Sequence, residues 1–150
     1  MNKKAIPQCS YLFNGTISCN AAVFCSDERF IDESMSFIKY SLNINSFDLI
    51  VTAGGPAFIN AGTGALMDNL ALLVEEHNIK RLVLISHQDC KYYKKKFNNA
   101  DDDEITEKQL NDLQSAKIKL RELFPGICTE TYFAFIEEGK ILFKEINYTE

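Results

Sequence analysis

The chain has 150 residues, of which 46% are hydrophobic, 25% charged and 11% aromatic, with seven Gly, three Pro and five Cys. That mixture excludes a collagen-like, low-complexity or disordered polypeptide, and the length fits one domain over 1–150, with 1–19 as an N-terminal extension. Sixteen Lys and Arg against 21 Asp and Glu give a net charge of −5, which repels a phosphate backbone and excludes nucleic acid as a partner.

Lys3 and Lys4 open the chain, but the stretch AIPQCSYLFNGTISCN that follows is broken at Pro7, Gln8 and Asn14, so no signal-peptide core forms. No apolar run approaches the ~20 residues of a membrane span. A cytoplasmic location is expected, where Cys9, Cys19, Cys25, Cys90 and Cys128 are thiols or metal ligands rather than a disulfide framework.

The first strand is expected at 20–24 (NAAVF), a short apolar run ending at CSDER. Helical spacing follows at 30–42, then a second buried strand at 47–52 (FDLIVT). A second helix at 63–77 sets Leu66, Leu70, Leu73 and Val74 on one face, and a third strand follows at 81–86 (RLVLIS). Strand, helix, strand, helix, strand predicts an α/β fold with a parallel sheet core and flanking helices. Residues 94–104 (KKKFNNADDDE) read as a polar loop, with Lys94 to Lys96 a solvated run. A third helix over 104–123 places Leu110, Leu113, Ala116, Leu120 and Leu123 on one stripe, begins after Asp101 to Asp103 and stops at Pro125-Gly126. The tail reads as a strand (ICTETYFAFI), a turn at Glu138-Gly139 and an antiparallel edge strand (KILFKEI).

In such a sheet the reactive groups gather outside the carboxyl ends of the strands. Two clusters fall there. Cys25-Ser26-Asp27-Glu28-Arg29 follows the first strand, and in an extended chain Cys25, Asp27 and Arg29 project to one side. His87-Gln88-Asp89-Cys90 follows the third, and a helical turn would set His87 beside Cys90. Two sulfurs and one imidazole suit tetrahedral Zn²⁺ with one position left for water, the arrangement of a catalytic site.

The paired motifs, CSDER and then HQDC, resemble the β-class carbonic anhydrases, whose signature is Cys-x-Asp-x-Arg followed some sixty residues later by His-x-x-Cys. TAGG stands where that family usually has Ala-Gly-Asn. The resemblance implies a β-carbonic anhydrase-like fold in which Cys25, His87 and Cys90 bind zinc, and Asp27 and Arg29 form a dyad beside it. The implied activity is reversible hydration of carbon dioxide to bicarbonate by zinc-bound hydroxide. Two thiolates cancel the charge of the ion, so an alkaline optimum is expected. Arg29 can hold Asp27 ionised and away from the metal; without it Asp27 closes the fourth position, as in the closed forms of that family.

Two departures stand out. Gly55, followed by Pro56, replaces the usual Asn, and Lys91-Tyr92-Tyr93 replaces the usual Gly after the second Cys. Hydrolysis of carbonyl sulfide or carbon disulfide, or a non-catalytic zinc protein closed by Asp27, are therefore the alternatives. The resemblance also implies a homodimer or higher homo-oligomer, with Phe37, Ile38, Tyr40, Tyr132, Phe133 and Phe135 as candidates for its surface or, more simply, for the core. Cys9, Cys19 and Cys128 are expected to pack inside. His77 is expected as the exposed end of the second helix with Asn78 as cap. Asp89 reads either as a partner of a ligand or as a solvated or capping carboxylate. Gly62-Thr63-Gly64 is read as the start of a helix rather than a phosphate cradle.

Overall fold

The computed structural model describes residues 9–148; Lys3, Lys4 and Pro7, on which the reading of the N-terminus partly rests, lie outside them. Among the described residues five strands form one sheet: β1 (Asn20–Cys25), β2 (Asp48–Thr52), β3 (Arg81–His87), β4 (Cys128–Glu137) and β5 (Lys140–Glu145). Their order is β2-β1-β3-β4-β5, parallel throughout except for β5, which runs antiparallel to β4 after the turn at Glu138-Gly139.

Alternation along the central strands sorts their side chains between two apolar layers. Ala21, Val23, Leu82 and Leu84 point to one side, where Ile59 of α2 (Phe58–Ala61), Met67 and Leu70 of α3 (Ala65–Glu76), and Leu113, Ala116 and Leu120 of α5 (Asp102–Leu123) close over them. Ala22, Phe24, Val83 and Ile85 point to the other side, against Phe30 of α1 (Glu28–Ser36) and Ile38. Burial on both faces explains why these strands read as continuous apolar runs.

Several boundaries differ from the expectation. The helix expected over 30–42 starts at Glu28 and, after Ser36, widens into a π turn over Phe37–Ser41, closed by Leu42 N–H on the Phe37 carbonyl at 3.1 Å. The lysine run is not a loop: Lys91–Lys96 forms α4, seated by the buried Tyr93. In α5, Asp101 caps the N-terminus by accepting Glu104 N–H at 2.8 Å. Its buried stripe is Ile105, Gln109, Leu113, Ala116 and Leu120, whereas Leu123 is half exposed. Ile38, Tyr132 and Phe133 belong to the interior, and Tyr40 is exposed. Cys9 and Cys128 are exposed and Cys19 is only partly covered, so none of the three packs as expected; Cys9 and Cys19 belong to the described stretch 9–19, which forms no helix or strand, and Cys128 opens a strand. Among the described residues no single helix is long and apolar enough to cross a membrane.

Candidate metal centre

With Val23 opposite Leu84 in parallel register, β1 and β3 run out at the same sheet edge, at Cys25 and His87. The chain stays extended only as far as Asp27, and Arg29 already lies in α1. Asp27 caps α1, its Oδ1 accepting Arg29 N–H at 3.0 Å, and this cap turns the Arg29 side chain back onto the same carboxylate. Arg29 grips Asp27 as a fork, Nε on Oδ1 at 3.0 Å and Nη2 on Oδ2 at 2.7 Å. The hydrogen bond from Arg29, with its positive charge, holds the Asp27 carboxyl below the usual carboxylate range.

After His87 the chain passes through a tight turn in which Asp89 takes a left-handed conformation (φ 60°), not a helical one. The Sγ atoms of Cys25 and Cys90 and a ring nitrogen of His87 lie within 4.8 Å of one another, and all three residues are buried. The hydrogen bond between the two thiols lowers the pKa of Cys25, against burial, and the same contact raises that of Cys90 together with burial, so the pair favours one thiolate.

His87 decides whether this cluster fits a metal. Its Nδ1 lies 2.6 Å from the Gln88 carbonyl oxygen, which can only accept, so that nitrogen carries the proton. Nε2 then presents a lone pair, and it is buried with no hydrogen-bond partner. An orphaned lone pair facing two sulfurs is costly in an apolar interior and is satisfied by a borderline-soft cation. The residues fit the metal that the spacing implies. Asp27 stands alongside, with Oδ2 4.0 Å from His87 Nε2.

Residues other than the three ligand candidates hold this arrangement. Phe30 stacks on the His87 ring at 4.1 Å between centroids, and Gln109 Nε2 donates to the His87 carbonyl at 2.8 Å. Tyr93 packs beside Cys25, Cys90 and Ile105 and donates its hydroxyl to Asp112 at 2.6 Å. The signal for Gln109 was present in the sequence as a polar residue on the α5 stripe, four positions before Leu113. Asp89 bonds to Arg29 and Lys94 rather than to a ligand side chain. His77 caps α3 and, rather than standing free, sets Nδ1 2.6 Å from Asp48 Oδ2 at the far edge of the sheet.

Both departures have a structural basis. Gly55 (φ 54°) lies so close to the main chain that a Cβ would fall 3.1 Å from Cys25 N and 3.2 Å from the Ile85 oxygen, leaving no room for the usual side chain. Tyr92 lies over Gly54, where a Cβ would fall 2.5 Å from its Cδ1. Together with Lys91, Tyr92 walls a cavity of about 350 Å³ that opens onto Cys25, Asp27 and Arg29.

The family described as "Putative carbonic anhydrase" matches residues 16–135. The chain belongs to that family. As a carbonic anhydrase family member it is divergent: an uncharacterized protein of Rickettsia bellii is 26% identical over 118 residues, covering 73% of this chain and 72% of the relative. The fold of this carbonic anhydrase family member is that of the β class. The crystal structure of β-carbonic anhydrase isoform I from Trichomonas vaginalis superposes with a TM-score of 0.59 at 14% identity, covering 95% of this chain and 90% of the other. The tetrameric β-carbonic anhydrases of Sordaria macrospora give 0.59 at 15% identity, covering 89% and 83%.

Proposed function

We propose that the chain is a zinc lyase that hydrates carbon dioxide reversibly to bicarbonate and a proton. The observation that carries this reading is the unpartnered, buried Nε2 of His87, beside two cysteine sulfurs and 4.0 Å from a carboxylate held by an arginine. Zinc on Cys25, His87 and Cys90 would supply a Lewis acid that brings the pKa of water from ~15.7 toward neutrality.

The remaining chemistry belongs to the chain. Asp27 Oδ1 accepts the Arg29 main-chain N–H and Nε, whereas Oδ2 accepts Nη2 at 2.7 Å and lies 4.0 Å from His87 Nε2, on the side where it would accept a hydrogen from the attacking water. Arg29 keeps that carboxylate ionised and fixes its orientation. The Gln88 carbonyl and the Phe30 ring fix the plane of His87. The cavity bounded by Ser26, Ala53 and Tyr92 admits a small neutral gas to this point.

Zinc content and stopped-flow hydration of carbon dioxide test the reading together. About one zinc per chain and carbon dioxide-dependent acidification are expected. Metal-free protein after supplementation overturns it. Consumption of carbonyl sulfide or carbon disulfide but not carbon dioxide would reassign the substrate, with Lys91 and Tyr92 as the departure behind it. Zinc held by the Asp27 carboxylate at every pH, with no gas consumed, would make this a non-catalytic zinc protein.

We further propose a homo-oligomer in the cytoplasm. Tyr11, Leu12 and Phe13 leave apolar surface exposed, the outer strands β2 and β5 have no second neighbour among the described residues, and the Sordaria macrospora relatives are described as tetrameric. All five cysteines are free, which suits a reducing compartment. Sedimentation at a single species of 150 residues would remove the assembly.

A further inference from the structure

We propose that Asp89, anchored by Lys94, is the positioning residue that keeps the Asp27 carboxylate off the metal's fourth coordination position; this rests on the metal site proposed above. The Arg29 side chain is 45% exposed, and an ion pair so open to water holds its geometry weakly when it has one partner. Here it has two. Nη1 donates to Asp89 Oδ2 at 2.9 Å and Nη2 donates to the Asp89 carbonyl at 3.1 Å, while Nε and the other hydrogen of Nη2 serve Asp27. Only one hydrogen of the guanidinium remains.

Asp89 is itself held. Lys94 of α4 pairs with its Oδ1, and the Lys91 ammonium lies 3.5 Å from the same oxygen. It sits between two proposed ligands, His87 and Cys90, in a left-handed conformation (φ 60°) that Asp and Asn tolerate better than other residues with a side chain. Arg29 therefore spans the two loops that carry the cluster, one hand on the cap of α1 and the other on the turn after β3. Removing the Asp89 charge frees one hand. The guanidinium can then swing toward water, and Asp27, whose Oδ2 lies 4.0 Å from His87 Nε2, loses the fork that fixes its orientation beside the cluster.

The test uses cobalt(II)-loaded full-length protein and azide as the probe of the open coordination position, read by visible absorption. Asp89→Asn keeps the backbone geometry and removes the charge; Lys94→Met loosens the anchor without touching the turn. Closure by Asp27 lowers the fraction of azide-competent protein, and the apparent Kd for azide rises in inverse proportion to that fraction. We expect about a tenfold rise in Asp89→Asn and a smaller rise in Lys94→Met, with a changed cobalt band in azide-free protein. Both effects should vanish in an Asp27→Asn background, where no carboxylate remains to close the site. An unchanged azide Kd in Asp89→Asn, or an equal rise with and without Asp27, overturns the proposal. Protein that takes up no cobalt overturns it along with the metal site. Cobalt-loaded protein inactive on carbon dioxide overturns the activity alone, because azide binding reads the coordination position directly.

Discussion

Gly55 shows how a single residue sets the limits of the site. A methyl group there would press on the main chain of Phe24, Cys25 and Ile85 at 3.1–3.2 Å, and its φ of 54° adds strain for any side chain. Gly55→Ala is expected to cost about 1–3 kcal/mol in urea unfolding and to loosen metal binding, because the atom displaced is the amide of Cys25. Asp27→Asn keeps size and cap while losing the charge, so zinc should stay bound and hydration fall by about 10²-fold or more in stopped-flow assays. The candidate ligands were legible in the sequence because metal chemistry restricts residue type so tightly: two Cys and one His at strand ends leave few other readings. Asp89 and Phe30 were not legible in that way. A carboxylate and a phenyl ring each have many common uses, and only their positions against Arg29 and His87 assign them one.

At the level of elements, β3 and β4 are tied by more than their ladder. Arg81 pairs with Glu130, which also accepts the Tyr132 hydroxyl at 2.8 Å. The Arg81 guanidinium, with its hydrogen bond, draws the Glu130 carboxyl below its ordinary value of 4.5. The folded pKa lies under the unfolded one, so this contribution is complete above pH ~4.5 and is lost as the pH falls through the folded value. With Arg81 about one-third exposed, screening leaves roughly 0.5–1 kcal/mol. Arg81→Met should flatten the acid limb of a stability profile between about pH 5 and 2 and lower stability at pH 7. The strands and α3 were readable from periodicity, since burial on both faces leaves an unbroken apolar signature. The π turn and α4 were not. A helix of six residues with one buried side chain, Tyr93, has almost no pattern of its own, and the packing around Cys90 sets it rather than lysine propensity.

For the molecule as a whole, the sheet order brings the two motifs together because β1 and β3 are neighbours while β2 lies outside them. A ligand that binds only the folded state adds RT ln(1 + [L]/Kd), about 4 kcal/mol at a thousandfold excess over Kd. Chelation should therefore lower Tm by several degrees in calorimetry, and readdition of zinc should restore it. The Asp27→Asn protein should show the same shift, since its three donors remain. Fold class followed from element order alone, whereas surface fate did not: Cys128 and Leu123 carry apolar character and still face water. The placement of Cys25 early in the chain and of His87 and Cys90 beyond its midpoint also orders biogenesis. A nascent polypeptide halted before β3 offers an ion one thiol and no imidazole from the trap, so charging with metal has to wait until the third strand has emerged from the ribosome and docked.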